Sequence, residues 1–376
     1  MTGPHLLRRV WLIWALTRIV AVAAIWFVDW ILHDITIYEG WQVAFQSGSF
    51  PIDDPTWQYP PGAGLFLALP GLAPTPYLPT FVALVLLVDA ALMGVLIAAF
   101  RRSATPDAFG LRIWASAALI VGPIMFVRFD VLPTLLAVAA VLLAARPVWS
   151  GAMAGLGFLV KVWPAAVLLA LPRRRLPAGL AGFAAALVVL LAAVVLTMDH
   201  TGSFLANQAS RGLQAESTGA LPYWLWRMLG GEVANGLEYG AIQVQMAGAE
   251  AVGTVVQVAG LLMIGIIAWW RLSGRLEHAA AGDVALLVVM VLVASSRVYS
   301  PQFNAWLVGL AAAAALSTAS RLRRVVILVI AVSVATQIVY PLFSTQLTDG
   351  FFLIVLVQAF RILGLLAAIV LAVRAL

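Results

Sequence analysis

The chain has 376 residues, of which 63% are hydrophobic and 10% charged, against about 25% charged in a soluble domain. A mean hydropathy of +1.02 and recurrent long apolar runs exclude a soluble enzyme, and the short alternating segments of a membrane β-barrel are absent. The lack of cysteine excludes disulfide frameworks, thiolate metal sites and cysteine nucleophiles, and the net charge of +6 sits on arginines in short loops, a topological signal rather than a nucleic-acid footprint.

In chain order, apolar spans are expected at roughly 11–32, 75–100, 113–127, 131–145, 177–198, 251–270, 282–296, 303–319, 325–343 and 351–373. The basic N-terminus lacks a small-residue cleavage site after the first apolar run, so that run reads as an uncleaved span. With the N-terminus inside, the inner loops hold Arg8, Arg9, Arg101, Arg102, Arg112, Arg146, Arg173, Arg174, Arg175, Arg271, Arg275, Arg321, Arg323, Arg324 and Arg374. The outer side keeps Arg128, Arg211, Arg227 and Arg297, while Arg18, Lys161 and Arg361 fall within apolar segments. This bias predicts both termini in the cytoplasm. Arg18 and Asp89, in the first two spans, are expected to form an intramembrane ion pair. The predicted architecture is all-α: a single-domain polytopic transmembrane helical bundle over residues 1–376, with about 10 spans.

One segment departs from the alternation. SGAMAGLGFLVKVWPAAVLLALP (150–172) lies between Arg146 and the Arg173–Arg175 triplet, both on the basic side, so a re-entrant pair of short helices is expected. Lys161 at its middle reads as a snorkelling or packing group.

Two long outer loops, about 33–74 and 199–250, are where chemistry is expected. In the first, Tyr38, Trp41 and Phe45 recur at helical spacing and predict an interfacial helix, with Thr36 and Glu39 at capping-box spacing. Asp34 reads either as a cap or dipole partner of that helix or as a general base at the membrane surface. Asp53 and Asp54 read as loop solvation, and YPPG at 59–62 as a rigid turn back to the bilayer. RFD at 128–130 admits two readings: Arg128 and Asp130 pair with each other, or both line an outer cavity. NQASRGLQAES (207–217) brings Arg211, Gln214 and Glu216, and an arginine holds a phosphate through two forked hydrogen bonds. SSRVYSPQFNAW (295–306) sets Arg297 at the outer end of a span against the charge bias, with Pro301 starting the next helix. The four histidines, His5, His33, His200 and His278, are scattered, so no metal site is expected.

Taken in order, HDITIY, YPP, RFD, LVKVWP, RGLQAES and SRVYSPQF resemble the polytopic glycosyltransferases of family 87, of the GT-C architecture, over roughly residues 10–375. Such enzymes are common in actinobacteria, and 21 arginines against one lysine fit a high-GC genome. The resemblance implies transfer of a sugar, typically mannose, from a polyprenyl phosphate carrier to a glycolipid or lipoglycan acceptor at the outer face of the cytoplasmic membrane. It also implies that Asp34 is the base, with Glu39 in reserve. An inverting displacement needs one carboxylate beside the attacking hydroxyl, whereas a retaining one calls for a second. The departing phosphate needs fixed cations. Arg211 and Arg297 are expected there, with Arg128 as third choice, so no metal or other cofactor is required. Tyr38, Asp130, Gln214, Glu216, Tyr299 and Gln302 are the candidates for sugar and acceptor contacts. Asp34, Arg211 and Arg297 should converge on one cavity open to lipid. The rival reading is a transporter or flippase of lipid-linked or small-molecule substrates, which predicts internal repeats that the sequence lacks. A noncatalytic scaffold is a third.

Overall fold

The computed structural model describes residues 3–205 and 212–376. Helices dominate, and six are long and apolar enough to cross a membrane: α1 (Pro4–Phe27), α2 (Tyr77–Arg102), α3 (Leu176–Thr197), α4 (Ala249–Leu272), α5 (Arg323–Leu342) and α6 (Phe352–Ala375). The chain is thus a polytopic helical membrane protein.

Four of the ten expected spans take a different form. Segment 113–127 breaks into Ala108–Ala115, Ala117–Val121 and a 3₁₀ turn at Pro123–Phe126, because Gly122 adopts a positive φ just before Pro123. The others are the short helices Val131–Leu142, Ala281–Ser295 and Asn304–Ala314. At 1.5 Å per residue, even a 15-residue helix reaches only about 22 Å, short of a ~30 Å hydrocarbon core. These short helices are apolar all round because protein surrounds them. Every residue of Asn304–Ala314 is buried, as are eleven of the fifteen in Ala281–Ser295. Hydropathy cannot separate a helix buried in protein from one buried in lipid.

Around this centre the long helices form a shell. On α3, Val188, Val189, Val195 and Leu196 are exposed, as are Val255, Leu261, Leu262 and Trp269 on α4, a surface suited to acyl chains. α3 packs against Pro147–Val160 through glycines. A Cβ on Gly151 would lie 1.8 Å from the carbonyl oxygen of Gly179, and one on Gly182 would lie 2.0 Å from that of Val148. Small residues let membrane helix backbones approach this closely. Gly151→Ala is therefore expected to cost about 1–3 kcal/mol through overpacking, read as a lowered melting temperature in detergent. An unchanged melt would show that the two helices separate freely.

Segment 150–172 forms two short helices, Pro147–Val160 and a 3₁₀ stretch at Trp163–Ala170, broken at Lys161, whose backbone is extended. The chain doubles back there, since a Cβ on Gly157 would lie 2.7 Å from Pro164. Arg175 Nη1 donates to the Ala144 carbonyl at 3.0 Å, so the segment leaves and returns at one end of the bundle. Other basic loops gather near their expected neighbours: Arg323 pairs with Asp107 at 2.8 Å, and Arg271 Nε donates to the Leu169 carbonyl at 2.9 Å.

Arg18 and Asp89 pair as expected. Arg18 Nε and Nη2 reach the two carboxylate oxygens at 2.8 and 3.0 Å, and its remaining donors bond Thr17 Oγ1 and the carbonyls of Trp114 and Ala115.

The second long loop holds a feature that an all-α reading omits. Strands β1 (Leu213–Gln214), β2 (Asn235–Glu238) and β3 (Ala241–Val244) form a small antiparallel sheet in the order β1-β3-β2. The β2–β3 turn is Tyr239-Gly240, with φ of 53° and 73°. Two left-handed residues are what a tight two-residue hairpin needs.

Candidate active site

After α1, a 3₁₀ turn at Asp29–Leu32 leads into the short helix His33–Gly40, with Asp34 in its first turn, where the helix dipole favours a carboxylate. No capping box forms: Thr36 Oγ1 instead donates to the His33 carbonyl at 2.7 Å. Asp34 Oδ2 lies 2.7 Å from Arg128 Nε, with side-chain exposures of 18% and 6%. The contact is ionic, since the Nε–H is not directed at the oxygen. Arg128 Nη1 donates to the carbonyls of Ile31 and Val127, each at 2.9 Å. Arg128 and Asp130 do not pair with each other, and of the two only Arg128 lines a cavity. Arg128 pairs with Asp34, and Asp130 pairs with Lys161 at 2.6 Å, also accepting from Trp306 Nε1 at 2.8 Å. Residues two apart face different sides of a turn, so each finds its partner across the fold.

The expected interfacial helix is also revised. It breaks at Trp41 into His33–Gly40 and Gln42–Gln46. Tyr38, Trp41 and Phe45 are buried, packed among Phe50, Trp57, Phe81 and Phe129 rather than presented to headgroups. Residues 50–59 fold back over this aromatic face. Asp54 fastens them there, accepting from Trp41 Nε1 at 2.7 Å and from Thr56 N at 2.8 Å, so it is a structural turn group rather than loop solvation. Pro60 and Pro61 then begin the helix Pro61–Ala68, the expected rigid turn. Glu39 is exposed and lines no cavity on the Asp34 side.

Asp34 borders a cavity of about 490 Å³ walled also by Tyr38, Arg128, Gln214, Glu216, Gln302 and the β2–β3 hairpin. A second cavity, about 610 Å³, is walled by Lys161, Arg297, Trp306 and by Gln257 and Leu261 of α4. Tyr59, Ser300 and Gln302 line both. Asp34 and Arg297 thus face adjoining chambers rather than one shared space. Arg211 lies outside the described residues. Asp130 and Tyr299 line neither chamber.

The floor of the first chamber is built from two loops held together by α6. Gln214 N donates to the Arg297 carbonyl at 3.0 Å, and Ser300 Oγ to Gln214 Oε1 at 3.2 Å. Arg361 Nη1 donates to the Glu216 carbonyl at 2.7 Å and Nη2 to the Tyr299 carbonyl at 2.8 Å, while its guanidinium lies 3.7 Å over the Tyr299 ring. Gln358 Nε2 adds a third bond, to the Glu216 carbonyl at 3.0 Å. Tyr299 therefore supports the floor from below. Glu216 Oε2 is buried without a hydrogen-bond partner. Burial pushes the Glu216 carboxyl up, and Arg361 opposes that rise. Tyr38, whose hydroxyl is also buried without a hydrogen-bond partner, is pushed up by burial and stays a neutral donor.

The sequence reading gives Lys161 only a snorkelling or packing role, notes Arg361 only as lying in an apolar segment, and gives Tyr59 and Ser300 no site role, although Lys161, Tyr59 and Ser300 line the chambers and Arg361 braces two of their loops. The signal for the two cations was present, because an ionisable group inside an apolar segment marks a site by default. Among the described residues, no three His, Asp or Glu side chains gather as a metal site would require.

A family model described as glycosyltransferase family 87 matches residues 57–301. The match takes in Tyr59, Arg128, Lys161, Glu216 and Arg297, and begins after Asp34. No curated protein and no solved structure matches the chain significantly.

Proposed function

The chain belongs to glycosyltransferase family 87, and from that footing we propose that it moves a hexose, mannose foremost, from a polyprenyl phosphate to a glycolipid or lipoglycan. The reaction takes place at the outer face of the cytoplasmic membrane, in a GT-C bundle of about ten apolar segments with both termini inside. The observation that carries this reading is the pair of adjoining chambers. One presents a carboxylate, Asp34, among polar groups, and the other presents a cation, Arg297, beside the lipid-exposed face of α4.

In this scheme the acceptor occupies the Asp34 chamber and the donor the Arg297 chamber. The anomeric carbon sits at the shared wall of Tyr59, Ser300 and Gln302. Arg128 engages Asp34 Oδ2, which leaves Oδ1 to take the proton of the acceptor hydroxyl. The acceptor oxygen then bonds the anomeric carbon as the carbon–oxygen bond to phosphate breaks, its electron pair going to the phosphate. One carboxylate suffices, and the outcome is inversion. Tyr38, Gln214, Glu216 and Gln302 supply hydrogen bonds to sugar hydroxyls. Asp130 and Tyr299 contribute by holding Lys161 and Arg361. Arg297 meets the donor phosphate, with Arg211 as the other arginine that the sequence offers for it. Arg128 serves the base rather than the phosphate, because its Nε and Nη1 are already committed.

The test is transfer of radiolabelled mannose by the purified full chain in lipid nanodiscs. Label should pass from polyprenyl phosphate mannose into a lipid-extractable product, and not from a nucleotide-linked mannose. Transfer from the nucleotide sugar, or from no polyprenyl phosphate hexose, would remove this reading.

A further inference from the structure

Among the described residues, two ion pairs are deeply buried, and they differ in one respect. Arg18–Asp89 is closed on all sides by carbonyls and lines neither chamber. Lys161–Asp130 is buried too, yet Lys161 forms part of the wall of the 610 Å³ chamber that Arg297 also lines. A lysine needed only to knit helices together has no reason to border open space.

Its surroundings hold the ammonium at that wall. The extended backbone at Lys161 ends the helix Pro147–Val160 and turns the side chain among four rings. Nζ lies 5.5 Å from the ring centre of Tyr59, 4.7 Å from Phe129, 5.5 Å from Phe303 and 5.3 Å from Trp306. These π faces stabilise a cation without neutralising it. Arg297 is steadied from the other side, where Nη2 donates to Thr254 Oγ1 of α4 at 2.6 Å. Between them the chamber is bounded by Val162 and Leu261, which are 55% and 61% exposed on the apolar flank.

We propose that Lys161 and Arg297 together hold the lipid phosphate that departs in the transfer, with Lys161 turning from Asp130 to the phosphate as charge develops. The proposal rests on a polyprenyl phosphate donor. Such a donor is a phosphodiester with one negative charge. Once the sugar's carbon–oxygen bond breaks, the electron pair stays on phosphate, and the monoester carries about −1.5 to −2 near neutral pH. Arg297 matches the first charge. Lys161, paired with Asp130 in the resting state, matches the second. The prenyl chain leaves past Val162 and Leu261.

The experiment uses the full chain in nanodiscs, with a prenyl phosphate monoester as product-like inhibitor. Lys161→Met should lower kcat roughly 10²-fold, as loss of one transition-state donor does, with little change in donor KM. Inhibition by the monoester should weaken by about tenfold, a loss of one charge-assisted bond. Because Lys161→Met strands a buried Asp130, the double variant Lys161→Met/Asp130→Asn is measured beside it. It should fold as the wild type does and remain slow. Recovery of wild-type kcat by the double variant, or monoester inhibition unchanged in both variants, overturns the assignment and makes Lys161 a structural ion pair. If the wild type neither uses a polyprenyl phosphate sugar nor is inhibited by the monoester, the donor reading falls with it. Loss of turnover in Asp34→Asn with normal monoester inhibition leaves this proposal standing and separates it from the base.

Discussion

Asp34→Asn is expected to cut sugar transfer by about 10²–10⁴-fold, the range general-base catalysis contributes, while leaving the protein folded and able to bind donor. Asparagine keeps the shape, but it cannot take the acceptor's proton. The measurement is initial-rate transfer from a radiolabelled polyprenyl phosphate sugar, with Glu39→Gln as the comparison. Glu39 is exposed and sits away from the chamber, so its variant should turn over normally. The reverse pattern, a normal Asp34→Asn and a dead Glu39→Gln, would move the base to another face of the helix and break the two-chamber scheme.

Asp89→Ala is expected to destabilise the bundle by about 3–5 kcal/mol, because it strands Arg18 with no counter-charge. Both side chains are almost fully buried, at 3% and 0% exposure, and Asp89 takes two of the guanidinium's donors. The companion experiment is the double variant Arg18→Met/Asp89→Leu. Replacing a buried ion pair by apolar groups of similar volume is often neutral or stabilising, so the double variant should recover most of the loss. Thermal denaturation of detergent-solubilised protein reads both. An Asp89→Ala protein that melts with the wild type would show that Arg18 finds water or another acceptor in its place.

The Arg18–Asp89 pair was legible in the sequence because two opposite charges stood alone in two neighbouring apolar runs. The doubling-back at Lys161 was legible because basic residues flanked the segment on both sides. The partner of Lys161 was not. Arg128 and Asp130 stand two residues apart and invite pairing, and only the tertiary fold separates them toward Asp34 and Lys161. The same limit applies to the choice between Asp34 and Glu39. Five residues along a helix is about 140° of rotation, so one faces the chamber when the other cannot, and the sequence does not say which. The small sheet was hidden because its strands are two to four residues long and lie in a polar loop.

Arg361 makes its hydrogen bonds to the two site loops through the carbonyls of residues 216 and 299, with the Tyr299 ring stacked against its guanidinium. A hydrogen bond to a carbonyl is indifferent to which amino acid supplies it. In the proposed scheme, the chamber floor can therefore exchange the groups it shows to the sugar while its geometry stays put. In evolutionary terms, acceptor preference is free to drift one residue at a time, with no need for the scaffold to be rebuilt at each step.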